Sequence, residues 1–146
     1  MKLKICLIGC AVLPALLARD CPAGMVTLDL SGLDNGLSLD GTTIGAGGVT
    51  VTFSSNGPSN LGAAIFDSNH LGPNKDGGDK DLLVSKGNLV ILQNDAFSAL
   101  SSTDPDIFAT PNDDAQGGSI ILKFNTPVQL KSLLLADING GAQTDV

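Results

Sequence analysis

The chain has 146 residues and a formal net charge of −7, with 42% hydrophobic and 16% charged residues. That length allows one domain, and the apolar fraction excludes a disordered acidic tail. No Lys/Arg cluster occurs, all 15 acidic residues are Asp, His70 is the only His, and the Cys fall at positions 6, 10 and 21. A basic nucleic-acid surface, a Glu-based acid/base pair and a His/Cys metal cluster beyond Cys21 are therefore excluded by composition.

The chain opens as a secretory signal peptide over residues 1–23. Lys2 and Lys4 form a basic start, an apolar run follows from Ile5 to Ala18, and Arg19, Asp20 and Pro22 make a polar boundary. The run is shorter than the ~20 residues of a spanning helix. Ala23 with Cys21 two positions before it offers small side chains for cleavage, and Ala18 is the other candidate. Cleavage at Ala23 would leave a chain without Cys, holding 14 Asp against 5 Lys, a net charge of −9. Such a chain repels itself unless its Asp clusters are neutralised, and without disulfides it depends on core packing or bound ions.

Beyond residue 23 the pattern is one of short strands. Val26-Thr27-Leu28-Asp29-Leu30 alternates, and Val49, Val51 and Phe53 share one face of a second alternating run. Ala63 to Phe66 is a short apolar run, and Asn88-Leu89-Val90-Ile91-Leu92 is apolar on both faces, as in a core strand. Ile120, Leu122 and Phe124 fall on one face of residues 119–124. Residues 128–138 read as a long strand, and Thr126-Pro127 as the turn of a hairpin joining it to 119–124. Residues 54–60 and 101–114 are loop-like, and residues 95–100 could make a short helical turn with Asp95 near its cap. Many short strands between turn residues predict an all-β fold, an antiparallel β-sandwich or jelly roll, in one domain over 24–146. Because the last run ends just after Asn139-Gly140-Gly141, a domain incomplete at Val146 is a further expectation.

Three loops hold most of the acid: residues 67–81, residues 104–118, and Asp137 with Asn139. Ca²⁺ takes six to eight oxygens from carboxylates, Asn side chains and backbone carbonyls. Short Asp side chains beside Gly can converge on such an ion. Asp76, Asp79, Asp81, Asp113 and Asp114 are the candidate metal ligands. The spacing is not that of an EF-hand loop, which ends on a bidentate Glu. Asp, Asn and Gly are also ordinary turn residues, so a purely local hydrogen-bonding role stays open beside the ionic one.

Catalytic patterns are thin. His70 sits in the first acidic loop with Asp67 and Ser68, but no G-x-S-x-G elbow occurs. With five Phe and no Trp or Tyr, a stacking platform for sugars is poorly supplied.

An ordered series can be picked out: Phe66-Asp67-Ser68, Gly77-Gly78-Asp79-Lys80-Asp81-Leu82, Gly87-Asn88-Leu89-Val90-Ile91, Asp113-Asp114 with Gly117-Gly118-Ser119-Ile120, Lys123-Phe124, and Asp137-Ile138-Asn139. It resembles a β-sandwich module of secreted and cell-surface bacterial proteins, often of the PEP-CTERM type. The resemblance covers residues 63–139, about half the chain. It implies an exported β-sandwich without an established activity, continuing past Val146. Asn94-Asp95 stands where an acidic pair is common in the module, residues 97–110 look like an insertion, and no sorting segment is present.

The sequence reading is therefore a non-catalytic exported module, Ca²⁺-stabilised, serving at the cell surface or in the matrix, with an extracellular glycan or matrix component as partner. The rival readings are a carbohydrate-binding module and a fragment of a secreted hydrolase.

Overall fold

The computed structural model describes residues 2–6, 25–69 and 82–133, and it is all-β with antiparallel pairing throughout. The strands are β1 (Lys2–Cys6), β2 (Met25–Asp29), β3 (Thr43–Ala46), β4 (Val49–Asn56), β5 (Ala63–Asp67), β6 (Asn88–Leu92) and β7 (Ser119–Phe124). No helix among the described residues is long and apolar enough to cross a membrane.

β3, β4 and β7 form one sheet in that order, β5 pairs with β6, and β1 pairs with β2 in the register Lys2↔Asp29 to Cys6↔Met25. Residues 2–6 therefore lie along β2; they belong to the stretch read as a leader, whose remaining residues fall outside the described ones. β3 and β4 meet through Gly47 (φ 56°) and Gly48 (φ 81°). Two successive positive φ values are what a two-residue hairpin of the right twist requires. The sequence reading passed over β3, because Gly45 and Ala46 dilute its strand signal.

β5 is the most buried of the described strands, and its period of two sorts its side chains cleanly. Ala63 and Ile65 enter one apolar cluster with Leu28, Leu30, Leu39, Val51 and Phe53. Ala64 and Phe66 enter a second with Leu82, Leu89, Ile91 and Phe108. The same alternation runs through β6, where Val90 packs on the first cluster while Leu89 and Ile91 join the second. Continuous apolar runs in β5 and β6 thus mean burial on both faces.

Backbone hydrogen bonds widen the β5–β6 pair well beyond its two strands. Residues 36–39 run beside β5, with Gly36 N–H to Ile65 O at 2.8 Å and Leu39 N–H to Ala63 O at 2.8 Å. Residues 106–108 run beside 36–39, with Ser38 N–H to Asp106 O and Phe108 N–H to Gly36 O, both at 2.8 Å. Residues 99–101 follow, through Ser101 N–H to Ile107 O at 2.7 Å and Ala109 N–H to Ala99 O at 2.9 Å. On the far side of β6, Asp114 N–H meets Leu92 O at 2.9 Å. The region read as an inserted loop is therefore woven into the sheet.

The last part of the chain departs from the expected hairpin. β7 pairs with β4 from Val51↔Phe124 to Asn56↔Ser119, and residues 128–133 form no ladder with it. Asn125 is held instead to Thr50, by its N–H to Thr50 O at 3.1 Å and by Thr50 N–H to its side-chain oxygen at 2.9 Å. Pro127 has no N–H to offer a ladder, and Val128 and Leu130 pack on the first cluster. Residues 134–138 of the expected strand lie outside the described residues. Within β7, Leu122 and Phe124 reach the core, whereas Ile120 and Ile121 stay 37% and 50% exposed.

Candidate functional site

The acidic loops leave opposite ends of the β5–β6 pair, and each is rooted by a buried polar side chain. At the Asp67 end the root is Ser68. Its hydroxyl accepts Lys86 N–H at 2.8 Å, its N–H donates to Gly87 O at 2.9 Å, and its carbonyl accepts Ser85 N–H at 3.3 Å. Asn35 supports the same end by accepting Asp67 N–H at 2.8 Å. Asn88, buried at the start of β6, donates to Leu30 O and Leu33 O, both at 2.8 Å. Two ends of a long loop are thus clamped together at its base. The loop's candidate ligands Asp76, Asp79 and Asp81, and also His70, lie outside the described residues.

At the Leu92 end the root is Gln93, which is fully buried. Its amide nitrogen donates to Phe97 O at 2.8 Å and Thr110 O at 3.2 Å, and its amide oxygen accepts Asn112 N–H at 3.2 Å. A buried amide is tolerated only when satisfied, and here one side chain pins both limbs of the loop between residues 94 and 112. Asn94 adds two ties. Its side-chain oxygen caps the 3-10 turn Asp95–Phe97 through Ala96 N–H at 2.9 Å, and its amide nitrogen reaches Asp113 O at 3.2 Å. The cap is therefore Asn94, and Asp95, expected near that position, occupies the first turn.

Of the two candidate ligands in this loop, Asp114 is 7% exposed and its carboxylate accepts Gln116 N–H at 2.9 Å. Asp113 is half-buried, and its backbone bridges to Gln93. The local turn role also recurs elsewhere: Asp29, Asp67 and Asp104 accept the N–H two residues ahead at 3.0, 3.0 and 2.9 Å. These are Asx turns, the arrangement that suits a short carboxylate beside its own backbone. Among the described residues no three His, Cys, Asp or Glu side chains gather as a metal-holding group.

The sequence reading missed Ser68, Asn88, Gln93, Asn35 and Asp40 as organising residues. A signal for two of them is visible afterwards: Asn88 and Gln93 are the polar residues at either end of the apolar run Leu89 to Leu92. No protein family, curated protein or solved structure matches the chain.

Proposed function

We propose that the chain is an exported, non-catalytic β-sandwich module that presents its two acidic loops at the cell surface or in the matrix, with Ca²⁺ held by those loops. The observation that carries this reading is the pair of buried clamps, Ser68 and Gln93. Both place their hydrogen bonds at loop roots, so the polar interior serves to fix where the loops emerge. Asp76, Asp79 and Asp81 fall between the ends that Ser68 joins, and Asp113 and Asp114 fall beside the Gln93 clamp. A clamped base lowers the ordering cost of gathering several carboxylates on one hard cation, and the cation offsets their mutual repulsion. The partner in this reading is an extracellular glycan or matrix component.

The test is thermal unfolding of the purified protein in EDTA, in Mg²⁺ and in Ca²⁺. Ca²⁺ at about 100 times its Kd adds ~2.7 kcal/mol, which raises Tm by on the order of 10 °C for a domain of this size. The combined variant Asp76→Asn, Asp79→Asn, Asp81→Asn should lose that rise. Asp113→Asn, Asp114→Asn, which keeps the turn acceptors, should reduce it. A melt indifferent to Ca²⁺, with no bound ion in equilibrium dialysis, would overturn the ionic part of the proposal and return these residues to turns.

A further inference from the structure

We propose that Asn56 is a site of spontaneous deamidation in the folded protein. Three described places put an Asn or Asp directly before Gly: Asn35-Gly36, Asp40-Gly41 and Asn56-Gly57. Such pairs are open to ring closure because Gly has no Cβ to hinder its backbone nitrogen from approaching the preceding side chain. The fold treats the three differently. Gly36 N–H is engaged with Ile65 O at 2.8 Å, and the Asn35 side-chain oxygen with Asp67 N–H at 2.8 Å. Gly41 N–H is engaged with Phe53 O at 2.8 Å, and both Asp40 carboxylate oxygens accept hydrogen bonds, from Ala63 N–H and the Ser55 hydroxyl. At the third pair, Asn56 is exposed, and it forms the last rung of the β4–β7 ladder, opposite Ser119. Neither its side chain nor Gly57 N–H is engaged in a hydrogen bond among the described residues.

The chemistry needs only water. The Gly57 nitrogen attacks the Asn56 side-chain carbonyl carbon. A new C–N bond forms, the amide C–N bond breaks, and ammonia leaves carrying the Gly57 proton. Water then opens the five-membered imide at either carbonyl, giving Asp or isoaspartate at position 56. The isoaspartyl product carries an extra main-chain carbon at the final rung. There the backbone also approaches Gly118 closely: a Cβ on Gly118 would lie 2.5 Å from Asn56 O. The modification therefore loosens the start of β7.

The test is to age the purified protein at physiological temperature and mildly alkaline pH, folded and in urea, and to follow each site by peptide mapping and isoaspartyl methylation. In the folded protein Asn56 should convert roughly tenfold or more faster than Asn35, whose two hydrogen bonds must first open. In urea the two should convert at similar rates. The Asn56→Ser variant should fold and lose the signal at this site. An Asn56 that stays intact in the folded protein, or an Asn35 that keeps pace with it, would overturn the proposal.

Discussion

Asp40 accepts the backbone N–H of Ala63 at 3.1 Å, across 23 residues of sequence. Its other oxygen accepts the Ser55 hydroxyl at 2.9 Å. Ala63 opens β5 and Ser55 lies in β4, so one carboxylate ties the two groups of strands together. Replacing Asp40 by Ala removes both acceptors, taking the partner from Ala63 N–H and from the Ser55 hydroxyl at once. Asp40→Ala should therefore lower unfolding stability by about 1–3 kcal/mol. Urea denaturation would show this as a lower midpoint with an unchanged slope. An unchanged midpoint would mean that the carboxylate is dispensable.

Gln93 offers a sharper case, because three backbone groups depend on it: Phe97 O, Thr110 O and Asn112 N–H. Gln93→Leu fills the space and orphans all three. The expected loss is about 2–4 kcal/mol. Limited proteolysis should then cut between residues 94 and 112 while the β3–β4–β7 sheet persists. If those peptide bonds stay as resistant as in the parent protein, Gln93 is not the loop's anchor.

Adjacent glycines permit a controlled comparison. Gly117 (φ 74°) has open space where a Cβ would go, whereas Gly118 (φ 152°) would place it 2.5 Å from Asn56 O and 2.7 Å from a Leu92 methyl. Gly117→Ala pays only the conformational penalty of about 1 kcal/mol. Gly118→Ala adds a backbone clash and should cost at least twice as much, with strand pairing lost at Ser119. Equal melting temperatures for the two variants would contradict the close approach of β4 to the start of β7.

Core and surface positions should separate by a wide margin. Phe53 is 1% exposed in the first cluster, and Ile121 on β7 is 50% exposed. Phe53→Ala is expected to cost roughly 3–5 kcal/mol. Ile121→Ala should stay within about 0.5 kcal/mol. Two similar values would place the core elsewhere.

The strands that were legible in the sequence are those whose burial follows directly from periodicity. Val51 and Phe53 alternate with polar neighbours and are buried on one face of β4; the unbroken run of β6 is buried at Leu89 and Ile91 and half-buried at Val90 and Leu92 on the other face. What stayed hidden depends on partners distant in sequence. Residues 36–39 carry only Gly36, Leu37, Ser38 and Leu39, too short a pattern to announce a strand, and they act as one because Ala63, Ile65, Asp106 and Phe108 supply their hydrogen bonds. The 119–124 hairpin misread the partner for the same reason. Turn chemistry at Thr126-Pro127 is local, whereas the pairing of β7 with β4 is not. At the loops, composition pointed to Asp, which is plentiful, and overlooked Gln93 and Ser68, whose roles arise only from burial.

The row of segments 99–101, 106–108, 36–39, β5 and β6 also bears on how the chain reaches this state. Neighbours in that row are far apart in sequence, so Ser38 finds its acceptor only after Asp106 has been synthesised and brought back. Closing such loops costs entropy before any contact repays it, and topologies of this kind fold slowly. An early segment thus has little to settle onto while the rest is still arriving. For the export proposed above, that delay is useful: the same hydrogen bonds that fasten the finished sheet leave the nascent chain threadable until its last partners are present.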